Sequence, residues 1–194
     1  MFTDFKNFSE FAHNVSPEEL VGELDFYFRK FDEIIATFGL EKIKTIGDSY
    51  MCAGGLPKVD MSNAERVVAA ALAIQEFMDE IKTTRHQNDK NYFEARIGIH
   101  TGPLVAGIVG KRKYAYDIWG DTVNIASRME SNCEPGAVNI SKPTFDLVRT
   151  DFDCEPRGKV EAKNIGEVEM YYVLGRKISG SHTWPPDLNL QFSM

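Results

Sequence analysis

No stretch constrains the fold of this chain more than Lys42-Ile43-Lys44-Thr45-Ile46-Gly47-Asp48-Ser49-Tyr50-Met51. Apolar Ile43 alternates with Lys42 and Lys44, and Gly47-Asp48 is a strong turn dipeptide between two short β-prone runs. The spacing predicts a hairpin with an acid at its tip. Helix signals flank it on both sides. Ser16-Pro17-Glu18-Glu19 is a helix start with Ser as N-cap, Pro at the first position and Glu at the third. Leu20, Val21, Leu24, Phe28, Phe31, Ile35 and Phe38 then recur at helical spacing and form an expected core stripe, ended by Gly39. After a Gly54-Gly55-Leu56-Pro57 break, Ser62-Asn63-Ala64-Glu65 reads as a second capping box. It opens a helix through Val67, Val68, Ala71, Ile74, Phe77, Met78 and Ile81, followed by a polar loop from Thr83 to Lys90.

Beyond the loop, Ala95 to His100 reads as a buried strand and Leu104 to Val109 as another, rich in small residues, with a basic tip at Lys111-Arg112-Lys113. Asp121 to Ser131 is a short helix stopped by Glu134-Pro135-Gly136. A strand at Val138–Ile140, a helix from Pro143 to Arg149, and strands near Gly158–Ala162 and Met170–Leu174 complete an α/β alternation. From about Ile178 the pattern is lost, so residues 1–177 are expected to form one domain and 178–194 a tail or linker. At 194 residues, 43% hydrophobic and 26% charged, the chain is long enough to bury a substantial core.

A net charge of −7 argues against a nucleic-acid surface, which needs a basic face. It does not forbid a nucleotide, because Mg²⁺ bridges carboxylates to phosphates. The longest wholly apolar run, Val67 to Ile74, has eight residues and cannot span a bilayer, so no membrane contact is expected from this segment. Cys52, Cys133 and Cys154 are scattered and never spaced Cys-x-x-Cys, which points to reduced cysteines in a cytoplasmic protein without a zinc site.

Three segments, in this order, carry a resemblance: Phe2-Thr3-Asp4-Phe5, the Lys42–Met51 hairpin, and Tyr116-Asp117-Ile118-Trp119-Gly120-Asp121-Thr122-Val123-Asn124-Ile125-Ala126-Ser127-Arg128. Together they closely resemble the catalytic domain of class III nucleotidyl cyclases, from Phe2 to about Leu174. The resemblance implies an α+β fold with a ferredoxin-like βαββαβ core and extra strands and helices. It also implies that Met1 to Asp4 ends a strand begun upstream, since a metal-binding carboxylate so near a free end would sit on frayed backbone. The chain is therefore expected to be part of a longer protein, with room for membrane or sensor domains before it.

Taken alone, Asp4 and Asp48 are ordinary turn or cap residues. In the motif they match the family's two metal aspartates, with the Phe5 backbone carbonyl as a further ligand, for two Mg²⁺ ions that Mn²⁺ can replace. Such a pair of ions activates the 3′-hydroxyl and holds the triphosphate. The turn from Phe5 to Ser9 leaves backbone N–H groups at Asn7 and Phe8 to meet phosphate oxygens; the family usually has Gly where Asn7 stands, and Asn tolerates the left-handed dihedrals such a turn needs. Lys44 and Asp117 fall where the family reads the purine. Lysine only donates and ionised aspartate only accepts, which matches N1 and the N6 amino group of adenine and favours ATP over GTP. Asn124 and Arg128 lie four apart on one helix face, matching the residues that orient the ribose and stabilise charge on the reacting phosphate. Lys163 falls near the family's phosphate-binding Lys-Gly-Lys-Gly turn, here with Asn164 and Ile165 in the following positions. Because the family draws its metal acids from one subunit and its purine readers and Asn/Arg pair from the other, this chain, which holds both sets, is expected to form a head-to-tail homodimer with two composite sites. The function implied is adenylyl cyclase. A guanylyl or dual-specificity cyclase, or a non-catalytic nucleotide-binding dimerisation domain, is the alternative.

Overall fold

The computed structural model describes residues 1–178 except 59, 89, 90 and 113. The expected tail, Ile178 aside, lies outside the described residues, as does Lys113 of the basic tip. The chain runs β1 (Phe2–Phe5), α1 (Phe8–Asn14), α2 (Pro17–Thr37), β2 (Glu41–Ile46), β3 (Ser49–Ala53), α3 (Asn63–His86), β4 (Ala95–Ile99), β5 (Val105–Val109), β6 (Ala115–Trp119), α4 (Asp121–Ser131), β7 (Val138–Ser141), α5 (Lys142–Val148), β8 (Phe152–Ala162) and β9 (Gly166–Arg176). The main sheet has the order β2-β3-β1-β4-β7-β9-β8, and β5 and β6 pair separately. Its first half is the expected ferredoxin-like arrangement: β1 lies antiparallel to both β3 and β4, with the helices crossing over between strands. Strand β7 joins parallel to β4, and β9 and β8 extend the sheet antiparallel. Among the described residues no helix is long and apolar enough to cross a membrane.

Strand β1 shows why the site lies where it does. Successive side chains point to opposite faces, so Phe5 enters the helical layer while Phe2 and Asp4 face the other way. Phe5 is 2% exposed, its ring 4.8 Å from that of Phe93 and 5.2 Å from that of Tyr27. The principal core joins α2, α3 and α5 to this face of the sheet. On the opposite face α4 is pressed against β4 at Gly98, where an added Cβ would lie 1.9 Å from the Glu130 nitrogen.

Helix α2 begins with the expected reciprocal cap: Glu19 N–H donates to Ser16 Oγ at 3.2 Å, and Ser16 N–H to Glu19 Oε2 at 2.9 Å. It ends as Gly39 adopts φ +62°. Its buried face is rotated from the expected stripe, taking in Tyr27 and Ile34 and leaving Val21 64% exposed. The second capping box does not form. The Ser62 hydroxyl and N–H both donate to Asp60 Oδ1 instead, and Asp60 also pairs with Arg66. Helix α3 runs to His86, past the start of the expected polar loop. Strands β8 and β9 are longer than expected, eleven residues each. Pro156 and Gly158 are tolerated within β8 because it is an edge strand with a bulge at those positions.

Candidate active site

The hairpin turn places the first acid. Gly47 takes φ +61° with nothing within 4 Å of where a Cβ would stand, and the tip folds over the end of β1. There Phe5 N–H donates to Asp48 Oδ2 at 3.4 Å. Asp4, one residue earlier, is held by two donors: Ser49 Oγ at 2.8 Å to Oδ2 and Arg96 Nη2 at 2.6 Å to Oδ1. Asp4 and Arg96 are direct cross-strand neighbours. Burial and then the charge of Asp4 push the Asp48 carboxyl above its usual range, with backbone donors and Arg96 opposing. The two acids thus share one corner, as expected.

That corner suits a magnesium-type cation. Among the described residues no three His, Cys, Asp or Glu side chains group as a metal cage. Mg²⁺ typically takes one or two carboxylates and completes its shell with water and substrate phosphates. The unfavourable charge that Asp48 meets from burial and from Asp4 is the electrostatic deficit such an ion would relieve. Phe5, whose carbonyl the resemblance adds to the ligand set, follows Asp4 directly and already binds Asp48 through its N–H.

Lys44 Nζ and Asp117 Oδ2 lie 2.5 Å apart, on β2 and β6. The strict alternation expected around Ile43 is broken: the β2–β3 register shifts between Lys42 and Lys44. This bulge sends the two lysines to different partners, Lys42 to Asp32 on α2 at 2.8 Å and Lys44 to Asp117. Asp117 is also fixed by the Ile118 N–H at 2.9 Å. The Lys44 hydrogen bond is the main cause of an Asp117 carboxyl held below the ordinary range.

Asn124 and Arg128 line a cleft of about 490 Å³ together with Asp121, Ile125, Lys163, Asn164 and Ile165. Lys163, placed from sequence only by a partial match, therefore joins them from the β8–β9 turn. Asn164 takes φ +67° there, a conformation that Asn accepts in place of the family's Gly. Neither Asp4, Asp48, Lys44 nor Asp117 lines this cleft. Asn7 adopts φ 59°, ψ 21° and leads into Phe8 at the start of α1, as its tolerance of left-handed backbone suggested.

Three residues of the corner escaped the sequence reading: Ser49, Arg96 and Glu130. Arg96 carried a signal, a charge inside an otherwise apolar strand. Glu130 is 7% exposed, and its Oε1 lies 3.1 Å from Arg96 Nε. Burial first, then the charges of Asp4 and Asp48, raise the Glu130 carboxyl to about 7 against the pull of Arg96.

The profile of the adenylate and guanylate cyclase catalytic domain matches residues 1–175. An adenylate cyclase of Mycobacterium tuberculosis is 37% identical over 179 residues, which is 92% of this chain and 40% of that protein. The receptor-type guanylate cyclase gcy-8 of Caenorhabditis elegans is 37% identical over 185 residues, 93% of this chain and 16% of that one. The chain thus spans less than half the length of these relatives. Among solved structures, the guanylate cyclase domain of RhGC from Catenaria anguillulae in complex with GTP superposes with a TM-score of 0.85. It is 34% identical and covers 91% of this chain and 94% of that one.

Proposed function

Because the chain belongs to the adenylate and guanylate cyclase catalytic domain family, we propose that it converts ATP to 3′,5′-cyclic AMP and pyrophosphate at composite sites between two copies. The bond from O3′ to Pα forms as the bond from Pα to the β-phosphate bridging oxygen breaks, and the 3′-hydroxyl proton leaves to solvent. Two Mg²⁺ ions, for which Mn²⁺ substitutes, would be held by Asp4, Asp48 and the Phe5 carbonyl and would supply Lewis-acid stabilisation of the 3′-oxygen and the triphosphate. The Asn7–Phe8 backbone turns toward the phosphates, Asn124 orients the ribose, and Arg128 with Lys163 meets the charge of the reacting phosphate. No covalent intermediate is needed, so positioning and electrostatics carry the catalysis.

The observation that carries the choice of base is the contact between Lys44 and Asp117. Adenine presents an acceptor (N1) and a donor (N6) side by side, and this pair offers a donor and an acceptor side by side. A second reading is supported by the guanylate cyclases among the relatives. At the corresponding positions guanine presents O6 and the N1–H, the reverse polarity, so this reading requires the purine to be seated differently against the pair. Turnover of ATP against GTP by the purified domain, with Mg²⁺ and with Mn²⁺, decides between them. A large excess of cyclic AMP supports the adenine reading, and a large excess of cyclic GMP overturns it.

The split between acid corner and cleft supports the dimer. Arg128 and Glu130 are two residues apart on α4, about 200° around the helix; one lines the cleft and the other faces Arg96 on the sheet. A single copy thus turns its Arg128 away from its own acids. The β5–β6 hairpin exposes Val105 (68%) and Ile108 (69%), the kind of apolar surface that a second copy covers.

A further inference from the structure

Glu130 is placed with unusual force for a residue outside the acid pair. The backbone of α4 meets β4 at Gly98 with no room for a Cβ, so the start of the Glu130 side chain is fixed by main-chain contact. Its carboxylate is buried beside Arg96 at ion-pair distance, 3.1 Å. The two facing atoms, Arg96 Nε and Glu130 Oε1, nevertheless make no hydrogen bond among the described residues. This is a charge held in place by packing and not by directed hydrogen bonding. Buried carboxylates left in that condition are costly, which calls for a role beyond tying a helix to a strand.

Arg96 is the shared partner. Its Nη2 reaches Asp4 Oδ1 while its Nε faces Glu130. With Glu130 ionised, three carboxylates (Asp4, Asp48 and Glu130) stand against one guanidinium, and the corner keeps two unbalanced negative charges. Without Glu130, Arg96 is free to close fully on Asp4 and only one remains.

We infer that Glu130 is a positioning residue for the acid pair: by sharing Arg96, it keeps the Asp4 carboxylate oriented and only partly neutralised, so that a divalent cation, and not the guanidinium, completes the corner. The inference rests on reading Asp4 and Asp48 as metal ligands. It assigns Glu130 no contact with substrate or metal. Its effect passes through the hold that Arg96 keeps on one oxygen of Asp4, the other being bound by Ser49.

The test is Mn²⁺ binding to the nucleotide-free protein, followed by electron paramagnetic resonance of the free ion, with thermal melting of the same samples. Glu130→Gln removes the charge at nearly constant shape and should raise the Mn²⁺ dissociation constant about tenfold without lowering the melting temperature. Glu130→Asp retains the charge and should restore most of the affinity, which also covers the case in which the Gln variant folds poorly. Wild-type Mn²⁺ affinity in Glu130→Gln would overturn the inference, and a lowered melting temperature beside it would leave Glu130 a structural tie. Asp48→Asn is the control for the underlying reading: if it leaves Mn²⁺ binding intact, the acid pair is not the metal site and both fall.

Discussion

The hydrogen bond from Lys44 is the first cause of the low Asp117 carboxyl, so the acceptor keeps its charge through neutral pH and well into acid. Asp117→Asn keeps the shape but adds a donor to a position that only accepts. It should lower kcat/KM for ATP by about 10–100-fold, the scale of a stranded polar group at a base edge, and narrow the ratio of ATP to GTP turnover. Paired steady-state kinetics on the two nucleotides check this, and an unchanged ratio would remove Asp117 from base reading. Glu130 makes the opposite kind of prediction. Its carboxyl is raised to about 7 in the folded protein, so the stability present while it is protonated falls away from near pH 4.5 and is gone above pH 7. The metal-free Glu130→Gln variant should therefore melt above wild type at pH 8, by roughly 2–4 °C per kcal/mol recovered. The two curves should converge toward pH 4.5. Melting curves that stay parallel across this range would contradict it.

At the scale of elements, the hairpin and the start of α2 were legible because their signals are local. Gly47-Asp48 demands a turn whatever surrounds it, and Ser16 with Glu19 closes a cap within four residues. The cap expected at Ser62 failed because Asp60, two residues earlier, competes for the same donors. The aim of Lys44 was hidden by a bulge that no alternation shows. Least legible was the acid corner's supporting pair: Asp4 meets Arg96 only through strand register, and Glu130 meets Arg96 only because α4 docks at Gly98. That docking makes a prediction of its own. Gly98→Ala forces the α4 backbone off β4 and should cost about 1–3 kcal/mol or more. It should also weaken Mn²⁺ binding, since Glu130 moves with the helix. Denaturant melts and metal titration of the variant check both, and wild-type stability would show that α4 accommodates the methyl group.

At the scale of the whole molecule, one chain carries every residue assigned to the reaction yet divides them between two places. Asp4 and Asp48, the proposed metal ligands, gather at the β1–hairpin corner, while Asn124, Arg128 and Lys163 line a separate cleft on the far side of α4. Such a chain is complete in inventory and incomplete in geometry, and a two-fold partner is the simplest way to bring the halves together. The most direct test mixes Asp48→Ala chains with Arg128→Ala chains, each inactive alone, and measures cyclic nucleotide formation after subunit exchange. Random pairing makes half the dimers mixed, each with one intact site, so activity should return to about a quarter of wild type and fall on dilution. A mixture that forms heterodimers and stays inactive, or wild-type activity that persists unchanged in a monomer, would contradict the shared site.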